Sequence, residues 1–259
     1  MWEGLQVDST ADSGVLDAAP GERSRLAQLW RSLPPGLPSI LFLLGAALVV
    51  LAIWTAVGWL AAKFLGDDFL GRFDRGLSRT LARGRTPDLN DITHYLSYLS
   101  ETVTVIALGA TVFVGARLAW KRWRESLFVV AVLVGEVSIF VGVAALVDRN
   151  RPPVRHLDAA PPTSSFPSGH TAAAVALYGA IALLASERAR SRALVWIATA
   201  AAVLIPVAVG AARMYRGMHF LTDVVAGAAL GAVWLFISAV GVRLGVIHNS
   251  LRASGEGEP

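Results

Sequence analysis

The sequence predicts an all-α, polytopic membrane protein: a six-transmembrane-helix bundle with an interfacial amphipathic helix after the first span. Three observations predict it. Of 259 residues, 54% are hydrophobic and the mean hydropathy is +0.55, more apolar than a soluble domain of this size. Apolar stretches of about 20 residues, long enough to cross a hydrocarbon core, recur at 39–61, 98–119, 126–147, 171–186, 193–212 and 221–243. Polar clusters rich in Arg and His sit at the edges of the later stretches, where ionisable groups are costly and mark working sites.

In chain order, residues 1–36 are polar and broken by Gly and Pro, and are expected to form a disordered cytoplasmic segment. The start is acidic and lacks the basic opening of a cleavable signal, so the first span is expected to remain as an anchor. After it, Phe69, Phe73, Leu77 and Leu81 recur every four residues behind a possible Asp68 cap, with Arg72, Arg75, Arg79 and Arg83 falling elsewhere. That pattern fits a helix lying on the membrane surface, or a connector packed on the bundle. The fourth span is short and rich in small residues, and is placed because polar segments on both flanks need a connection. Gly227 and Gly231 form a GxxxG in the last span, a close helix contact. The membrane domain is expected over 37–245, with a disordered tail over 246–259.

Six spans put both termini on one side. Lys121-Arg122-Trp123-Arg124 and Glu187-Arg188-Ala189-Arg190-Ser191-Arg192 mark the cytoplasmic loops, because Arg and Lys accumulate there. Arg72, Arg75, Arg79, Arg83 and Arg85, which would then lie outside, run against this rule. There is no cysteine, hence no disulfide and no thiolate metal site. The basic character reflects loop arginines, and no nucleic-acid motif is present. Lysine occurs only at 63 and 121, an arginine-heavy usage that fits a GC-rich bacterial source.

Three polar motifs carry the chemistry. Asp148-Arg149-Asn150-Arg151-Pro152-Pro153 follows the third span, where prolines stop the helix and place guanidiniums in the loop. They could grip phosphate oxygens bidentately, or snorkel and bind lipid head groups. Pro167-Ser168-Gly169-His170 opens the fourth span, whose free N–H groups and positive dipole end form an anion seat. Ser168 could donate a hydroxyl or merely cap the helix, Gly169 permits close backbone approach, and a protonated His170 could serve as an acid. Arg213, His219 and Asp223 join the last two spans. If the last helix begins near His219, the i, i+4 spacing lets Asp223 hold one imidazole nitrogen and leaves the other free to attack phosphorus. His170, His219 and Asp223 could alternatively ligate a metal, although the neighbouring arginines would repel a cation.

Arg-Pro, Pro-Ser-Gly-His and Arg-x5-His-x3-Asp in this order resemble the signature of the type 2 phosphatidic acid phosphatase (PAP2) superfamily, over roughly residues 40–243. The resemblance implies a six-helix bundle in the plasma membrane with an extracytoplasmic site that needs no cofactor and no metal. It implies His219 as the nucleophile forming a phosphohistidine, Asp223 as its orienting partner and His170 as the acid, with Arg151, Arg213, Ser168 and Gly169 holding the phosphoryl group. The implied substrate is a lipid phosphate: a polyprenyl diphosphate such as undecaprenyl diphosphate is favoured, with phosphatidic acid and phosphatidylglycerophosphate as candidates. Two positions depart from the family pattern. Ala144 stands where a lysine is usual, seven residues before Arg151, and Ala212 where a serine is usual, before Arg213. Arg149 could replace the missing cation. A non-catalytic lipid-phosphate binder or transporter that kept the fold is the alternative.

Overall fold

The computed structural model describes residues 33, 34, 36–64 and 68–255. Most of the expected disordered segment at 1–36 lies outside the described residues. Eight helices are found among those described: α1 (Leu37–Phe64), α2 (Phe69–Arg83), α3 (Pro87–Tyr98), α4 (Thr102–Trp120), α5 (Trp123–Leu146), α6 (Gly169–Arg188), α7 (Arg192–Tyr215) and α8 (Leu221–Gly255). Six of them, α1 and α4 to α8, are long and apolar enough to cross a membrane. Helix α8 runs through the expected boundary at 245, so the stretch from 246 to 255 is helical rather than a structureless tail.

The short fourth span is the hub of the bundle. Helix α6 packs most extensively on α7 and α8 and also contacts α4 and α5, with Ala172, Ala174, Ala176 and Ala180 fully buried. Its modest apolarity follows from that position, since small side chains facing protein let backbones approach closely. The outer spans carry the large apolar side chains instead, and Leu48, Trp59, Trp196 and Leu204 are exposed on them for lipid to cover.

Helix α8 is drawn onto α6 by the GxxxG. A Cβ on Gly227 would come 2.3 Å from the Ser168 carbonyl oxygen, and one on Gly231 would come 2.5 Å from that of Ala172. Helix α1 packs along α8, where Trp54 donates to the Ala226 carbonyl (3.0 Å) and Ser39 to that of Gly241 (2.7 Å). The first turn of α8 is thereby fixed against the first turn of α6, which brings two of the polar motifs together.

Between the first two spans the chain forms α2 and α3. Asp68 caps α2 by accepting from the Gly71 N–H at 2.7 Å. Helix α2 packs inward through Gly71, Asp74 and Ser78, while Phe69, Leu70 and Phe73 stay exposed, as suits contact with a membrane surface. Helix α3 starts at the Thr86-Pro87 signal, with Thr86 capping Leu89. The second span therefore begins at Thr102 rather than 98. Arg85, one of the arginines at odds with the loop-charge rule, donates to the backbone carbonyls of Tyr215 and Arg155. Protein rather than leaflet preference explains its place.

Candidate active site

The loop from α5 to α6 is tied to itself before it presents any side chain. Ser165 N–H donates to the Arg149 carbonyl (2.9 Å), its hydroxyl donates to that of Asn150 (3.1 Å), and Phe166 plugs the core against Gly58. From α7 the chain turns at Gly217 (φ +77°) into α8. Both connections lie at one end of the bundle, where α5 and α7 end and α6 and α8 begin. A cavity of about 830 Å³ opens there, and Arg151, Gly169, His170, Arg213 and His219 all line it.

His219 lies two residues before α8, not on it. Its Nδ1 is 2.7 Å from the Ser165 carbonyl and 4.0 Å from Asp223 Oδ2. A carbonyl only accepts, so Nδ1 carries the proton and Nε2 keeps its lone pair. The sequence makes Asp223 the orienting partner of His219; the direct hydrogen bond of Nδ1 goes to the Ser165 carbonyl, with the Asp223 carboxylate beside it at ion-pair distance. Asp223 caps α8, accepting from the Phe220 N–H at 2.9 Å, and hydrogen-bonds Arg149 with its other oxygen. Burial, and then the positive charges of Arg213 and Arg151, hold the His219 pKa well below the usual histidine value. These surroundings disfavour the imidazolium form.

Arg151 is aimed by backbone: Nη1 donates to the Met218 carbonyl at 2.8 Å and Nη2 to that of Thr163 at 3.5 Å. Arg213 Nη1 pairs with Asp158 at 2.8 Å, and Arg216 grips the same carboxylate with Nε and Nη2. Half-burial pushes the Asp158 pKa up, but the Arg216 hydrogen bond and the charges of Arg213 and Arg216 prevail and hold it below the usual carboxylate range. Two arginines against one carboxylate leave one net positive charge, to which Arg151 adds another. The Nε atoms of both Arg151 and Arg213 are buried with no hydrogen-bond partner. Donors left unmet in this way are costly unless a ligand meets them. The first-turn N–H groups of α6, beginning at Gly169 and His170, are likewise oriented toward an anion.

Two residues assigned to phosphate by sequence stand elsewhere. Arg149 is 7% exposed and does not line this cavity. Its guanidinium bridges Asp74 (3.2 Å) and Asp223, donates to Thr222 (2.9 Å), and lies over the Phe220 ring. It is spent on these partners and does not replace the missing lysine. Ser168 is fully buried, with its hydroxyl hydrogen-bonded to Thr171 Oγ1 at 3.0 Å, so the turn offers the cavity backbone rather than that hydroxyl. Ala144 does line the cavity, leaving its wall apolar where the family lysine would stand. Among the described residues no three His, Asp or Glu side chains gather as metal ligands, since Asp223 turns to Arg149 and the Phe220 N–H. Sequence reasoning passed over Asp74, Asp158, Ser165 and Arg216, for which neither spacing nor motif gave a signal.

Known proteins resemble this chain in sequence and in fold. The model of the PAP2 superfamily matches residues 125–244. The undecaprenyl-diphosphatase of Sulfolobus acidocaldarius is 34% identical over 182 residues, covering 68% of this chain and 82% of that protein. Phosphatidylglycerophosphatase B of Bacillus subtilis is 28% identical over 171 residues, 63% of this chain and 80% of its own. The fold matches the crystal structure of a transmembrane PAP2-type phosphatidylglycerolphosphate phosphatase from Bacillus subtilis with a TM-score of 0.63 and 24% identity, over 74% of this chain and 93% of that one. Aquifex aeolicus LpxE matches with a TM-score of 0.51 and 22% identity, over 63% and 93%. With its three motifs gathered at one end of a six-span bundle, the chain belongs to the PAP2 superfamily and is a multi-pass membrane phosphatase of that type.

Proposed function

We propose that this protein hydrolyses the phosphate or diphosphate ester of a membrane lipid through a phosphohistidine on His219. The observation that carries the reading is the fixed tautomer of His219, with a bare Nε2 at a cavity that also holds His170, Arg151 and Arg213. Arg151, Arg213 and the amides opening α6 neutralise the transferring group. His219 Nε2 attacks phosphorus in line while the bond to the lipid oxygen breaks, and His170, protonated once the negative phosphate sits beside it, gives that oxygen its proton. Water then attacks phosphorus, His170 takes its proton, and the P–N bond breaks to release phosphate. The Ser165 carbonyl keeps Nδ1–H in place throughout, and Asp223 at 4.0 Å adds a negative field that favours the cationic phosphohistidine. The apolar lower walls of the cavity suit a lipid tail. The cell membrane, with the site on the extracytoplasmic side, fits the basic loops at 121–124 and 187–192, which lie at the opposite end.

Release of inorganic phosphate by purified protein from a panel of lipid phosphates, with chelator present, tests this. His219→Ala and His170→Ala should each lower turnover by about 10²-fold or more, and rapid quenching should trap phosphate on wild type and none on His219→Ala. Lipid movement that persists with both histidines replaced would instead show a transporter.

A further inference from the structure

Below the phosphoryl end, the same cavity is lined by two buried polar groups, each with an atom that has no hydrogen-bond partner, that the hydrolysis does not use. Glu136, in the middle of α5, is 3% exposed, and its Oε1 has no hydrogen-bond partner. Ser100, between α3 and α4, is also 3% exposed, and its hydroxyl is unpartnered too. Both line the cavity, Glu136 on a wall with Leu133, Val137 and Phe140, and Ser100 on one with Ser97, Glu101 and Thr102. A buried carboxyl and hydroxyl cost free energy unless something bonds them, and an acid within an apolar span marks function.

Their depth identifies the partner. Phe140 abuts Gly169 at the start of α6, and Glu136 lies four residues earlier on α5, roughly 6 Å of helix rise further into the membrane. Tyr178, nine residues and thus about 13 Å along α6, reaches back to donate to the Leu99 carbonyl at 2.8 Å, which sets Ser100 below the phosphoryl level as well. In a glycerolipid the ester oxygens follow the phosphate by a few bonds, whereas an isoprenoid is hydrocarbon from its first carbon.

Building on the lipid phosphatase reading, we propose that Glu136 and Ser100 form a second polar subsite that hydrogen-bonds the oxygen-bearing backbone of a glycerolipid phosphate, and so favours it over the polyprenyl substrate suggested by sequence. Dioleoyl phosphatidic acid and geranylgeranyl monophosphate carry the same reacting group and differ in this backbone. Glu136→Leu should lower kcat/KM on phosphatidic acid about tenfold, the worth of one hydrogen bond at the upper end of its range, and leave geranylgeranyl monophosphate within about twofold. Ser100→Ala should show the same selectivity, and Glu136→Gln, which keeps a hydrogen-bonding group, should largely restore phosphatidic acid. Equal changes on both lipids, or none, would overturn the subsite. Binding of each lipid to His219→Ala, with and without Glu136→Leu, decides the subsite independently of turnover. If wild type released phosphate from neither lipid, the binding comparison would still decide the subsite, and the hydrolytic reading would be decided by the wider panel.

Discussion

Replacing Arg149 with alanine should destabilise the fold and leave phosphate binding nearly untouched. Its guanidinium links Asp74 on α2 to Asp223 on α8, with side chains 7%, 2% and 0% exposed. Thr222 completes the cluster by donating to Asp74 at 2.5 Å. Removing the cation strands two buried carboxylates, and breaking a buried pair from one side costs about 3–5 kcal/mol. For a chain of this size about 1 kcal/mol moves Tm by 2–4 °C, so the midpoint should fall by roughly 6–20 °C. Thermal unfolding in detergent, followed by tryptophan fluorescence, measures it. Asp74→Asn combined with Arg149→Ala should cost less than the sum of the single changes, because fewer charges are left unpaired. An unshifted midpoint together with a raised KM for lipid phosphate would refute this reasoning and make Arg149 a substrate ligand.

Three further outcomes follow from the site and its setting. The pKa of His219 is held low by burial and by Arg213 and Arg151, so its imidazole stays neutral and nucleophilic into the acid range. Arg151→Gln removes one of those charges and lets that pKa rise, and the acid limb of kcat/KM, scaled to each variant's own maximum, should move to higher pH; a limb that stays put would remove His219 as its source. Gly227→Ala drives a methyl into the Ser168 carbonyl and should cost about 1–3 kcal/mol and lower turnover, whereas Gly115→Ala, which meets nothing within 4 Å, should do neither; equal behaviour of the two would sink the close-contact reading. The absence of cysteine gives a clean background for topology: Arg190→Cys should react with a membrane-impermeant thiol reagent only from the cytoplasmic side, and labelling from outside would invert the proposed orientation.

By itself the sequence determined the solvent, the spans and the motifs. Apolar runs long enough to cross hydrocarbon place helices wherever they occur, and Asp68 announces its cap, because hydropathy and capping act over a few residues. Two spans also separate the loop of Arg151 and His170 from that of Arg213 and His219, which requires the four residues to share one end. Tertiary structure alone decided what each polar group holds. The partner of His219 is a backbone carbonyl 54 positions away, and Asp74 meets Thr222 across 148 positions. Arg149 looked identical in kind to Arg151 until packing enclosed one between two carboxylates and left the other facing the cavity. Glu136 stands in an apolar run of α5, and only the helices packed around that run make it the wall of a chamber. A buried polar group must be satisfied by whatever the fold brings beside it, and that choice is made among residues distant in the chain, which no local pattern encodes.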